Sequence, residues 1–173
     1  DAGAAGVIVP MVSSRTEAEA AVAACRYPPA GMRSYGPVRP AITEGPDYFG
    51  SANDALLVFA MIETRSALAD LDAIAATPGL DGLYIGPADL SLALGLAPQQ
   101  DSTVELHQAT VKRVFASAKQ HGTFVGMHCN SAEFGAVAAG WGADFVTIVA
   151  DGTALKTELA RRVGVFKGLV SGG

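Results

Sequence analysis

Sulfur, charge and long apolar runs are all sparse in this sequence, and each shortage removes a class of protein. Two cysteines in 173 residues, Cys25 and Cys129, are too few and too far apart for a disulfide scaffold or a close-spaced metal pair. They read as buried or half-buried thiols of a reducing cytosol, and no basic-then-apolar leader argues for export. No apolar run approaches the roughly 18 residues that span a bilayer, so no membrane partner is expected. Charged residues make up 17% of the chain, the net charge is −5, and the Lys and Arg residues are scattered. That distribution argues against nucleic acid, and an anionic substrate would need locally placed donors. No Gly-x-Gly-x-x-Gly follows the first apolar run, which weakens a dinucleotide-binding fold.

What the sequence does have is a 50% hydrophobic composition without low-complexity tracts, enough for a globular core. Residues 6–12 (Gly-Val-Ile-Val-Pro-Met-Val) read as a buried strand, and Ser13 or Ser14 caps an Ala-rich helix over 16–25. A Pro- and Gly-rich loop runs from Tyr27 to about Thr43, and 47–53 forms a short helix. The spacing then predicts strand 56–62, helix 66–76, strand 82–85, a short turn or helix over 90–94 and a long helix over 104–121 capped by Gly122. Strand 124–128, helix 131–140, strand 145–149 and helix 153–170 close the chain. Five βα units imply an α/β protein with a parallel sheet. They fit either an open doubly wound sheet or the latter part of a (β/α)8 barrel.

Two of these strands run into a carboxylate: 56–62 into Glu63, and 82–85 through Gly86-Pro87-Ala88 into Asp89. Ligands of parallel α/β proteins bind at the carboxyl ends of strands, and two acids converging there suit a hard divalent cation. The structural alternative is that Glu63 only favours the helix that follows and Asp89 only caps one.

Asp1-Ala2-Gly3-Ala4 with Val9-Pro10-Met11-Val12, then Arg26-Tyr27-Pro28-Pro29-Ala30-Gly31, Ile62-Glu63-Thr64-Arg65 and Ile85-Gly86-Pro87-Ala88-Asp89-Leu90-Ser91, occur in a telling order. Over essentially its whole length the chain resembles the 2-keto-acid aldolases of the 4-hydroxy-2-oxoheptanedioate aldolase and citrate lyase β-subunit superfamily. The resemblance implies a TIM (β/α)8 barrel of the phosphoenolpyruvate/pyruvate type. Residues 1–173 would be the C-terminal five βα units of one barrel domain, starting before the fourth strand. Strands one to three, which in the family carry a His general base and an enolate-stabilising Arg, are then not in this sequence.

The resemblance also implies a cytoplasmic, metal-dependent lyase that cleaves a 4-hydroxy-2-keto acid to pyruvate and an aldehyde. Glu63 and Asp89 would hold Mg²⁺ or Mn²⁺, and the backbone N–H groups of Ala88 and Asp89 would bind the pyruvate carboxylate. Met61 stands on the Glu63 face of its strand, where relatives can have a Gln that contacts substrate; Met cannot donate that bond. Asp1 matches an acidic residue that partners the His base. The full-length protein is expected to be a homo-oligomer acting on a small 2-keto acid or pyruvate. A citrate-lyase-type or citramalyl-CoA-type lyase, and a truncated non-catalytic product, remain alternatives. His128, at a strand end, reads as a pocket wall or a structural His, and Arg33 and Tyr35 of the Pro-rich loop are further substrate-contact candidates. Cutting a barrel exposes two strand edges, so the isolated chain is expected to be loosely folded or self-associating.

Overall fold

The computed structural model describes residues 2–171. Five parallel strands, β1 (Gly6–Val9), β2 (Leu57–Ile62), β3 (Gly82–Ile85), β4 (Phe124–His128) and β5 (Phe145–Thr147), pair in sequence order. An order without reversal has no topological switch point, which excludes the doubly wound alternative. The sheet is curled into a half-barrel. Phe59 on β2 and Phe145 on β5 stand three strands apart, about 14 Å in a flat sheet, yet their ring centroids are 5.1 Å apart across the concave face.

Alternation along the strands divides the side chains. Val58, Ala60 and Ile62, Leu83 and Ile85, and Val125 and Met127 point outward and are fully buried. They lie beneath helices α1 (Arg15–Cys25), α5 (Leu71–Ala75) and α7 (Glu105–Gln120), and α8 (Ala132–Gly140) covers β5. Inward, the aromatic rings interleave with glycines. A Cβ built on Gly82 would lie 2.4 Å from the Phe59 ring, and one on Gly126 would lie 2.3 Å from the Phe145 ring. Tyr84 stacks on Phe145 at 5.5 Å.

The amino-terminal ends of the strands are closed by two acids that each immediately precede a strand. The Asp81 N–H donates to Val58 O at 2.9 Å while its Oδ2 accepts the Val58 N–H at 2.7 Å. Asp144 repeats this pattern with Val125, at 2.8 Å in both directions. Asp81 also receives the guanidinium of the buried Arg26 at 2.8 Å, and Arg26 reaches the carbonyls of Leu56 and Gly79.

Several expected boundaries shift. β1 stops at Val9 because Met11 takes φ +60°, and β5 stops at Thr147. The stretch expected to be loop up to Thr43 contains α2 (Val38–Thr43), with Pro40 in its first turn, where its missing N–H costs nothing. The helix expected over 66–76 is broken at Asp70 into α4 (Arg65–Ala69) and α5. α3 covers Tyr48–Ala55. α6 (Pro87–Ala93) begins three residues before its expected start, with Pro87 preset for a helix N-terminus. α9 (Asp151–Ser171) is a 21-residue helix without a buried residue. Both cysteines are free thiols, Cys129 buried and Cys25 half-buried. No helix is long and apolar enough to cross a membrane among the described residues.

Candidate functional site

At the carboxyl ends of the strands lies a cleft of about 440 Å³ whose walls include Met61, Glu63, Gly86, Ala88, Asp89 and His128. Glu63 follows the last residue of β2, and Asp89 stands in the first turn of α6, directly after the neighbouring strand β3. The four site residues picked out inside the described chain, Met61, Glu63, Ala88 and Asp89, thus share one cleft. Asp1, expected to partner a His, lies outside the described residues. Arg33 and Tyr35 do not line the cleft. Their loop leaves the C-terminus of α1, and a helix that follows a strand runs back toward the strands' amino ends. Arg33 instead lies over the Tyr27 ring at 4.3 Å, and Tyr35 packs on Phe49 at 5.3 Å.

Neither carboxylate is a helix cap. Thr64 caps α4, its hydroxyl accepting the Ala67 N–H at 3.0 Å, and α6 has Gly86 at its N-cap without a side-chain bond. Glu63 is only 4% exposed. Its Oε1 accepts the Met11 N–H at 2.8 Å, an amide aimed by the left-handed turn at Met11. Its Oε2 accepts no hydrogen bond among the described residues and faces Gly86, where an added Cβ would lie 2.0 Å from it and 2.9 Å from Met61 Sδ. Only glycine leaves that space open. Burial raises the Glu63 pKa above the ordinary carboxylate value; the Met11 N–H opposes this and the charge of Asp89 adds to it.

A buried acid with one unbonded oxygen, beside a second acid, is short of positive charge, and a divalent ion fits that need. Among the described residues no three His, Cys, Asp or Glu side chains cluster as metal ligands. What the cleft offers a metal is the two carboxylates of Glu63 and Asp89, a set that would suit a hard divalent ion completed by water and substrate oxygens rather than an all-protein cage. The backbone N–H groups of Ala88 and Asp89 belong to the unpaired first turn of α6 and donate to no backbone acceptor among the described residues.

His107 lies on the long helix and carries no site role in the sequence, although the spacing His107, Val111, Val114, Phe115, Ala118 marks it as part of the inner stripe of α7. It is fully buried, and its Nε2 lies 3.1 Å from the Pro87 carbonyl, which also accepts the Ser91 hydroxyl at 2.8 Å. Nδ1 has no partner. Burial pushes the His107 pKa down, against a smaller upward pull from the Pro87 carbonyl. The unfolded chain therefore takes up a proton that the folded chain refuses as pH falls below about 6.5, and stability declines there. The urea midpoint of His107→Leu is expected to lack this part of the decline. Parallel pH profiles for the two proteins would refute it.

The family described as HpcH/HpaI aldolase/citrate lyase matches residues 1–157. Over 163 residues the chain is 42% identical to a hydroxypyruvate/pyruvate aldolase of Rhizorhabdus wittichii, covering 94% of this chain and 64% of that protein. A 4-hydroxy-2-oxo-heptane-1,7-dioate aldolase of Salmonella paratyphi C is 38% identical, over 98% of this chain and 66% of its own length. Among solved structures, an HpcH/HpaI aldolase from Desulfitobacterium hafniense superposes with a TM-score of 0.82 at 29% identity. That match covers 95% of this chain and 64% of the other. The chain thus spans just under two thirds of the length of these relatives.

Proposed function

The chain belongs to the HpcH/HpaI aldolase/citrate lyase family, and from that premise we propose that it forms the metal- and keto-acid-binding part of a class II aldolase. The reaction is cleavage, or in reverse formation, of a 4-hydroxy-2-keto acid to give pyruvate and an aldehyde. The observation that carries this reading is the pairing of buried Glu63 with Asp89 around side-chain-free Gly86 at the carboxyl ends of adjacent parallel strands. In this reading residues 1–173 are the C-terminal five βα units of a single barrel domain of the phosphoenolpyruvate/pyruvate type. The first three strands, with the His base and Arg that the resemblance implies, belong to sequence outside them. Coverage of about two thirds of each relative supports that division. The same resemblance supports a cytoplasmic homo-oligomer.

Bound between Glu63 and Asp89, Mg²⁺ or Mn²⁺ would supply Lewis-acid stabilisation of the enolate oxygen. The chain's own residues prepare the place. Met11 N–H fixes one Glu63 oxygen so that the other stays aimed at the cleft. The Ala88 and Asp89 N–H groups offer two donors for the keto acid's carboxylate, a nest at the positive end of α6. Met61, Pro87 and Val149 give apolar wall that restricts water. Met61 donates nothing, so a water or a donor from elsewhere must serve any substrate oxygen that faces it. No Lys or Arg lines the cleft among the described residues, so nothing there favours the phosphates of an acyl-CoA.

The test is pyruvate release from 4-hydroxy-2-oxopentanoate by the full-length gene product. Chelation is expected to abolish it, and Mg²⁺ or Mn²⁺ to restore it. A full rate after rigorous chelation would sink the metal assignment.

A further inference from the structure

The side of the cleft away from Glu63 carries a second polar group that pyruvate and metal leave unused. The hydroxyls of Tyr84 and Thr147 are 2.6 Å apart, and His128 Nδ1 is 2.8 Å from the same Thr147 Oγ1. All three residues line the cleft. Thr147 has one proton to give and two lone pairs. With the Tyr84 hydroxyl donating to Thr147 and Thr147 donating to His128 Nδ1, the imidazole proton sits on Nε2, making His128 a donor to whatever faces it.

Gln100 completes the arrangement from another element. It lines the same cleft, and its Oε1 is buried without a hydrogen-bond partner among the described residues. A buried acceptor left unpaired costs free energy unless a ligand or water donates to it. Its neighbour Asp101 pins the loop in place by accepting the Asn130 N–H at 2.8 Å and the Ser131 hydroxyl at 2.6 Å, just beyond the end of β4. Gln100 and His128 are thus held to one end of the sheet by separate anchors.

Register places this group relative to the metal ligands. Ile62, Ile85 and Met127 pair across β2, β3 and β4, so Glu63, Gly86 and His128 stand at one level. Glu63 and His128 are two strands apart, roughly 10 Å in a flat sheet and less in this curled one, with only Gly86 between. A short keto acid held at the Glu63 side therefore extends toward His128, Thr147 and Gln100.

Resting on the proposed function for the near end, we propose that Gln100, His128, Thr147 and Tyr84 form a specificity site for a neutral hydroxyl at the far end of the substrate. The preferred substrates are then 2-keto acids whose aldehyde half bears a hydroxyl. A hydroxyl can donate to Gln100 Oε1 and accept from His128 Nε2–H at once. A distal carboxylate offers no proton to Gln100 and meets no Lys or Arg in the described walls of the cleft.

The test uses two acids that lack the 4-hydroxyl and so cannot undergo aldol cleavage: 5-hydroxy-2-oxopentanoate and 2-oxopentanoate. Their dissociation constants for the full-length gene product in Mg²⁺ are measured by ligand-observed NMR titration. The hydroxylated acid is expected to bind about tenfold more tightly, the worth of one well-made buried hydrogen bond. That ratio is expected to collapse toward one in both Thr147→Val and Gln100→Leu. Equal affinities in the unaltered full-length protein, or a ratio that survives both substitutions, overturn the hydroxyl site while leaving the near-end reading intact. Failure of both acids to bind overturns the near-end reading and the hydroxyl site together.

Discussion

Replacing Glu63 by Gln is expected to lower the affinity of the full-length protein for Mn²⁺ by more than about 100-fold, beyond the 10- to 100-fold typical of outer-shell partners, while leaving the fold in place. Gln has nearly the same volume, and its carbonyl oxygen can keep the Met11 N–H bond seen at 2.8 Å. What it lacks is the charge. At present burial and the nearby Asp89 both disfavour ionised Glu63, so the neutral amide removes a strain as well as a ligand. The thermal midpoint of the metal-free variant should therefore equal or slightly exceed that of the parent. Free Mn²⁺ followed by electron paramagnetic resonance during a titration measures the first effect, and a melt in chelator measures the second. Affinity within threefold of the parent would mean that Glu63 is not a ligand.

At the opposite end of the sheet the largest cost is predicted for Asp81→Ala. Asp81 accepts both the Val58 N–H and the Arg26 guanidinium, whose residue is only 7% exposed. Removing the carboxylate leaves a buried cation without its counter-charge and a strand-opening amide without its acceptor. Breaking a buried pair in this way costs about 3–5 kcal/mol; the part-exposed Asp81 side chain, at 28%, places the expectation near the lower figure. Urea denaturation measures the loss. Since Asp81 lies far from the cleft, metal affinity of the folded fraction should stay as it was, and a loss below about 1 kcal/mol would show that the remaining carbonyl partners of Arg26 suffice.

The sheet could be read from the sequence to within a residue or two at most strands, because buried parallel strands are short, unbroken apolar runs such as Leu83-Tyr84-Ile85. The level of the site followed from the same pattern, since Glu63 and Asp89 directly succeed two such runs. Helix boundaries were harder. The break at Asp70 has no Pro or Gly to announce it, and Pro40, which reads as a loop marker, is compatible with the first turn of α2. Arg33 reads as a substrate-contact cation on a Pro-rich loop, but loops after helices lie at the wrong end of a parallel sheet for chemistry. Tyr84 and Thr147 read as ordinary strand residues, and Gln100 as loop. Only the curl of the sheet and the tether through Asp101 bring them together.

The interleaving of Phe59 with Gly82 and of Phe145 with Gly126 carries a lesson for altering this protein. Each ring occupies the volume that a side chain on the neighbouring strand would need, so size on one strand and smallness on the next form a single character. Changes at these four positions will be epistatic. A library that samples them one at a time will score nearly every enlargement at Gly82 or Gly126 as damaging. At Gly126, whose nearest neighbours are all atoms of the Phe145 ring, the same enlargement with a smaller residue at 145 preserves the packed volume. At Gly82 the Phe124 carbonyl, 2.6 Å from an added Cβ, stays in the way even when Phe59 is reduced. The useful unit of variation beneath the cleft is the pair across two strands.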